Sequence, residues 1–450
     1  MQPKTAANLL LVHGKIRSFI RRTIKSKFVR NVAIVTSGTV GAQAIIMAFS
    51  PVITRLYGPE AFGLLGVFMS IVAVITPLAA LSFPVAIVLP KTDNDAKGIA
   101  RLSVYLALGI AGFLFLALLA VGHWLMETLR IQEIGSLILL IPPTMLFVAF
   151  MQITHQWLIR KKQFAITARV AVIQALIVNS AKTGIGLIKP VAAMLIILST
   201  LGNAIHALML AIGAKKAEVQ NQHKKKSHSL ASLWVLAKRY YDFPFYRSPQ
   251  AFINAISQSF PVLMLAAFFG PTSAGFYTIC KRVIDMPSRT IGKSVGDVFY
   301  PRIAESANNG ENLTWLILKA TLSLVAVGLV PFSIVIVFGP LLFGFVFGAE
   351  WVVAGEYARW LALWLFFGFI NRPSVVSIPV LRLQGFLLIY EIIGVTLRVT
   401  TLFIGMYLLN DDILAIMLFS LAGVVWNAGL IIFTILNSHF SKKIGNNRPS

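Results

Sequence analysis

The stretch SPVITRLYGPEAFG, Ser50–Gly63, returns in the second half of the chain as FPVLMLAAFFGPTSAG, Phe260–Gly275. In each copy a proline late in an apolar run precedes a Gly-Pro pair, and another glycine lies five residues after the first. A Gly-Pro pair reads as a turn after which a helix restarts, so the match describes a duplicated helix-turn-helix unit. Pro77 and Pro90 find counterparts in Pro287 and Pro301. Outward from the first turn, apolar segments fall at 31–53, 62–88, 102–124, 134–157, 165–188 and 191–213. Outward from the second they fall at 251–269, 274–298, 313–338, 353–380, 386–408 and 413–436. Each approaches the roughly 20 residues needed to cross a bilayer, which predicts twelve spans. The glycine-rich GPLLFGFVFGAEW, Gly339–Trp351, reads as an interfacial elbow and not as a span. Because the second copy begins after an even number of spans, the two halves enter the membrane in the same sense, as parallel repeats related by an axis along the membrane normal.

Composition supports the membrane reading. Of 450 residues 57% are hydrophobic and 12% charged, against about 25% charged in soluble domains, and mean hydropathy is +0.80. The net charge of +24 could suggest nucleic acid, but the basic residues flank apolar segments and form no soluble domain, so no nucleic-acid partner is expected. The expected division is a basic N-terminal segment (1–30), an N-lobe (31–214), a basic linker (215–248), a C-lobe (249–436) and a tail (437–450). No early apolar run is long enough for a cleavable signal, so the first span should act as the targeting signal. One face collects the N-terminal basic residues, Lys91, Lys97, Arg101, Arg160, Lys161, Lys162, the linker lysines, Arg302 and Arg382. The opposite face has Arg55, Arg130 and Lys189 among Glu60, Glu127, Glu133, Glu350, Asp411 and Asp412. By the positive-inside rule both termini are expected in the cytoplasm. The single cysteine, Cys280, excludes an internal disulfide and a cysteine-based metal cluster.

Enzyme signatures fail in turn. There is no GxxxxGK[ST] phosphate loop and no HExxH. The seven histidines are scattered apart from His223 and His228, which share a polar loop. Neither an enzyme, a cofactor nor a metal is expected.

What stands out is charge inside the spans. In FYTICKRVIDMPSRTIGKSVGDVFYP, Phe276–Pro301, the charged residues Lys281, Asp285, Arg289, Lys293 and Asp297 recur at every fourth position, with Arg282 beside them. That spacing lays them along one slowly turning helix face. Ionisable groups at bilayer depth are costly and normally face a bundle interior or a wet cavity. Arg398, Arg372, Arg359 and Lys182 lie within other spans, with Glu391 two turns before Arg398. Each could pair locally or snorkel to an interface. Together their basic excess favours a cavity for an anion, and arginine forks match phosphate. Gln43, Gln174, Asn179, Asn254 and Gln258 would suit sugar hydroxyls or serve as interhelical glue. The many intramembrane prolines fit helices that bend between two states.

The stretches Ser37–Ile71, Arg239–Tyr277 and Lys281–Glu305, carrying TRLYGPEAFG, DFP, a Gly-Pro turn with AGFY, and VFYP, resemble the Wzx-type flippases of lipid-linked oligosaccharides, in the MOP superfamily. The resemblance implies an all-α membrane protein with two six-helix lobes around a central cavity. It implies a cargo of undecaprenyl pyrophosphate carrying an oligosaccharide, moved between leaflets of a bacterial inner membrane. It further implies a polysaccharide polymerase and a chain-length regulator as partners. Lys281 and Arg282 match the family's cationic lumen; Asp285 or Glu391 is the candidate for ion coupling. A cation-coupled small-molecule exporter is the alternative, and a non-transporting scaffold a third reading.

Overall fold

A computed structural model describes residues 27–128, 131–220, 232–381 and 383–445. Most of the basic N-terminal segment, part of the linker with His223 and His228, and the end of the tail lie outside these residues. The described chain is helical throughout: α1 Lys27–Ala79, α2 Phe83–Ala86, α3 Asp93–Thr128, α4 Ile141–Arg160, α5 Phe164–Gly186, α6 Ala192–Gln220, α7 Leu233–Arg239, α8 Ser248–Phe269, α9 Pro271–Asn308, α10 Leu313–Phe347, α11 Val352–Ile370, α12 Arg372–Ser377, α13 Gln384–Phe403 and α14 Asp412–Gly445. Among the described residues ten helical stretches are long and apolar enough to cross a membrane. The twelve-segment expectation differs from ten because it counts the two arms of α1 separately and includes α9, whose charges depress its hydropathy.

The two Gly-Pro turns adopt the same backbone. Gly58 has φ 69° and ψ 172°, and bends α1 into two arms. Gly270 has φ 88° and ψ 176°, and separates α8 from α9. Only glycine enters this region readily, at about 1–3 kcal/mol for other residues, and the proline that follows starts the next helix with its φ already set. The turns also meet. A Cβ on Gly63 would lie 1.7 Å from the Pro271 carbonyl oxygen, and one on Gly275 would lie 2.0 Å from that of Pro59. The contact is reciprocal, as expected for parallel repeats facing one another across a pseudo-twofold axis.

Around this contact lies the largest apolar cluster, which draws on both halves of the chain, including Tyr57, Phe62, Phe68, Leu265, Tyr277 and Trp351. Trp351 stands edge-on to Phe62 at 5.5 Å and to Phe276 at 6.1 Å, and its indole N–H donates to the Thr54 carbonyl at 3.2 Å. Arg55 donates to the Phe345 carbonyl. The Gly-Pro end of the bundle is therefore sealed. Smaller clusters belong to one half each, such as Phe83, Ile99, Trp157 and Leu210 in the first and Leu324, Phe369 and Ile431 in the second.

At the other, basic end Arg160 donates to the Pro90 carbonyl at 2.7 Å and to Asp93 at 3.2 Å. Part of the expected linker is a docked helix: α7 buries Leu236 against Gly98 and Arg239 pairs with Asp95 at 3.5 Å. Ser248, at the start of α8, donates to the Pro77 carbonyl at 2.8 Å.

Two expectations need correction. The elbow at 339–351 is mostly helix, since α10 continues to Phe347 through Pro340 and only a short turn at Ala349–Trp351 remains. The helix survives because Gly339 and Gly355 let α10 and α11 approach to backbone contact, burying Phe343 and Phe347. Several prolines initiate helices and do not bend them: Pro84, Pro142 and Pro373 fall in first turns.

The turn geometry predicts a contrast. Gly270→Ala should lose about 1–3 kcal/mol of stability, seen as a lower melting temperature of the purified protein. Gly109→Ala, at a helical site with nothing within 4 Å, should be neutral or stabilising. Equal shifts in the two variants would contradict the turn assignment.

Candidate functional site: a charged cavity between the two halves

The seam between the two halves opens at one level on both sides. On α1, Ala61 through Phe68 are all buried, whereas Met69 and Ser70 are half-buried and Ala73 is exposed. On α9, Ser273 to Tyr277 are buried, as are Ile279 and Cys280, whereas Lys281 is half-buried and Arg282 exposed. From Gly275 to Lys281 is about 9 Å along a helix at 1.5 Å per residue. The charges begin where the dry seam ends.

Beyond that level lies a cavity of about 510 Å³, bounded by Thr39, Gln43, Gly66, Met69 and Ser70 from α1, by Gln258 from α8 and by Lys281, Arg282 and Asp285 from α9. Its volume falls within the range of about 300–1,000 Å³ usual for small-molecule sites. The two walls differ in character: the α1 wall is small or neutral, and the α9 wall carries the charge. A neighbouring cavity of about 280 Å³ shares Gln258 and Lys281 and adds Asn254, Tyr277, Trp364, Glu391 and Arg398.

Lys281 stands at the junction of the two cavities. Its ammonium donates to the Gln258 carbonyl at 3.0 Å and to the Gln258 side-chain oxygen at 3.2 Å, and it lies 5.6 Å from the Tyr277 ring centroid. Arg282 is different. Among the described residues none hydrogen-bonds or ion-pairs with it, so its forked donors face the cavity. Arg398 lies over the Trp364 ring at 5.6 Å, donates to the Gly394 carbonyl at 3.1 Å and meets Glu391 at 4.0 Å. Lining the joined cavities are Lys281, Arg282 and Arg398 against Asp285 and Glu391, a net positive wall.

The other sequence-selected cations distribute differently. The Tyr57 hydroxyl donates to the Lys182 carbonyl at 2.9 Å, and Lys182 lines neither cavity. Arg359 lies off the cavities, paired with Glu356 at 3.2 Å and donating to the Ile336 carbonyl at 2.8 Å. Arg372 is exposed and packs its guanidinium stem over Gly292. The Arg289 side chain lies outside the described residues. Of the neutral candidates, Gln43, Asn254 and Gln258 line the cavities, whereas Gln174 donates to the Gly202 carbonyl and Asn179 to the Ala175 carbonyl as structural bonds.

Two of the histidines scattered in the sequence, His155 and His206, come together in the fold. They stand on α4 and α6 and line a third cavity, of about 500 Å³, that shares Thr39 with the central one. No spacing signal connects them, because the packing of α4 on α6 is what brings them together. No group of three metal-ligating side chains occurs among the described residues.

A family described as "Polysaccharide biosynthesis protein" matches residues 52–356, a range that contains both Gly-Pro turns and the charged wall. No curated protein matches the chain in sequence. The fold is similar to that of a multidrug resistance MATE family transporter of the MOP superfamily in an inward-facing conformation, with TM-score 0.67 at 14% identity over 89% of this chain and 96% of that one. It is also similar to the lipid II flippase MurJ in an inward closed conformation, with TM-score 0.65 at 14% identity over 93% of this chain and 94% of that one. An outward-facing MATE transporter gives TM-score 0.58 at 11% identity over 95% and 98%. The chain is thus a multi-pass membrane protein with the MOP-superfamily fold.

The sealed end and the open charged cavity predict one-sided access. In a Cys280→Ala background, Arg282→Cys should react with a bulky, membrane-impermeant maleimide added at the basic end, and Arg359→Cys should not. Labelling of Arg282→Cys from the Gly-Pro end alone would contradict the seal.

Proposed function

The chain belongs to the polysaccharide biosynthesis protein family, and on that premise we propose that it is a flippase for oligosaccharides linked to a polyprenyl pyrophosphate, of the Wzx type. The observation that carries the proposal is Arg282 exposed beside Lys281 on the wall of a cavity between the two halves. A pyrophosphate diester carries negative charge that a bilayer interior rejects, and a lysine with an arginine fork offers charge-assisted hydrogen bonds for it. The prenyl chain has no need to enter the cavity and can stay in lipid. Similarity of fold to a lipid II flippase supports the same reading, since that cargo too is named as a lipid.

Transport follows by alternating access. With the Gly-Pro end closed, the cargo enters from the basic end; parting of the two glycine contacts, with the halves rocking about the axis between them, then opens the opposite side. The chain carries out no covalent step in this scheme. The setting we propose is a bacterial inner membrane, with the basic end in the cytoplasm.

The test is translocation of a fluorescent polyprenyl-pyrophosphate oligosaccharide in proteoliposomes. A hydrogen bond to a charged group contributes about 1.5–3 kcal/mol, so Arg282→Ala should slow transport about 10- to 100-fold at subsaturating cargo. Arg359→Ala should leave the rate near that of the parent. Undiminished transport by the double variant Lys281→Ala/Arg282→Ala, correctly inserted, would overturn the assignment. Transport of cationic dyes that depends on Asp285 and ignores Lys281 would point instead to a small-molecule exporter.

A further inference from the structure

The third cavity, about 500 Å³, is built almost wholly from the first half of the chain: Gln152, His155 and Gln156 on α4, Thr167 on α5 and His206 on α6. Arg247, just before α8, lines it as well. Its chemistry contrasts with that of the charged wall. Among the described residues no carboxylate lines it, and Arg247 is the one formal cation apart from the histidines. Among the described residues, no hydrogen bond is made by the side chains of Gln152, His155, Gln156, Thr167 or His206.

Each of these groups can both donate and accept: the amides have an oxygen and an NH₂, the neutral imidazoles one nitrogen of each kind, and the hydroxyl both functions. A cation finds no carboxylate here, and an anion is better served by Lys281 and Arg282. The matching ligand is neutral and itself rich in paired donors and acceptors, which describes the hydroxyls of a sugar. Pro77, Ala80, Pro84 and Ala171 supply apolar surface between the polar groups, suited to the C–H faces of pyranose rings. The cavity meets the charged one at Thr39, which lines both.

We propose that this pocket is the sugar subsite of the cargo site: it holds neutral residues of the oligosaccharide while Lys281 and Arg282 hold the pyrophosphate. The inference rests on the flippase reading and assigns the two chemical parts of the cargo to opposite halves of the protein. Recognition of the sugar by one half and of the anion by the other makes the bound cargo a bridge across the seam.

The test compares two probes on the full chain in nanodiscs: bare polyprenyl pyrophosphate, and the same lipid carrying a neutral trisaccharide. Gln152→Ala/Gln156→Ala should weaken binding of the trisaccharide lipid about 10-fold, from two lost hydrogen bonds, and leave the bare lipid within about twofold. If that variant fails to fold, Thr167→Val, which removes one hydroxyl at nearly constant volume, should weaken the trisaccharide lipid alone by about threefold. Equal losses for both lipids, or no loss for either, would overturn the sugar subsite. If the parent protein binds neither lipid, the flippase reading itself fails; if it binds both alike and the variants change nothing, only the subsite does.

Discussion

Backbone meets backbone where the two Gly-Pro turns cross, and the rest of the molecule is arranged around that contact. Gly63 and Gly275 each lie against the carbonyl that follows the partner turn, so close that a single methyl group would collide. Such an approach seals one end of the bundle without side chains, and the aromatic cluster of Phe62, Phe276 and Trp351 keeps it dry. A contact between two identical backbone motifs is also one that a small rotation of either half breaks. In the proposed transport cycle, sealing and opening would depend on the same few atoms.

Charge is placed with respect to that seal. One turn and a half beyond the glycines, α9 turns Lys281 and Arg282 to the cavity while the equivalent level of α1 offers Met69 and Ser70. The two halves share the frame and only the second carries charge at this level. An ion at that depth is tolerable because the cavity supplies water or a counter-ion. Farther along, the first half provides neutral amides and imidazoles around a second chamber. The protein thus presents a net positive wall and a pocket of neutral amides and imidazoles with Arg247 beside them, which meet at Thr39, as the proposed cargo, charged at one part and hydroxylated at another, would require.

The sequence disclosed the Gly-Pro repeat because turn chemistry is local: glycine at a positive φ followed by proline is readable wherever it falls, and both copies take the same backbone. Lys281 and Arg282 were legible as violations of hydropathy in a helix otherwise fit for the membrane. Arg359 also violated hydropathy, yet it pairs with Glu356 one turn before it, a partner that was visible in the sequence at helical spacing. The elbow at 339–351 misled because glycine and proline read as breakers, whereas here the glycines serve helix contact. His155 and His206 could not be joined from sequence, since two helices of the first half must pack before they share a chamber. Local conformation was readable; which buried polar groups face each other required the fold.

The central claim is that the glycine contact and the charged cavity are two ends of one switch. Spin labels on Glu60 and Thr272 report the sealed end, and labels on Lys91 and Asn309 the basic end, all four sites being exposed. Measured by pulsed electron resonance with and without a polyprenyl-pyrophosphate oligosaccharide, the first distance should lengthen and the second shorten as cargo is turned over. Distances at both ends that stay fixed with cargo bound would contradict the account.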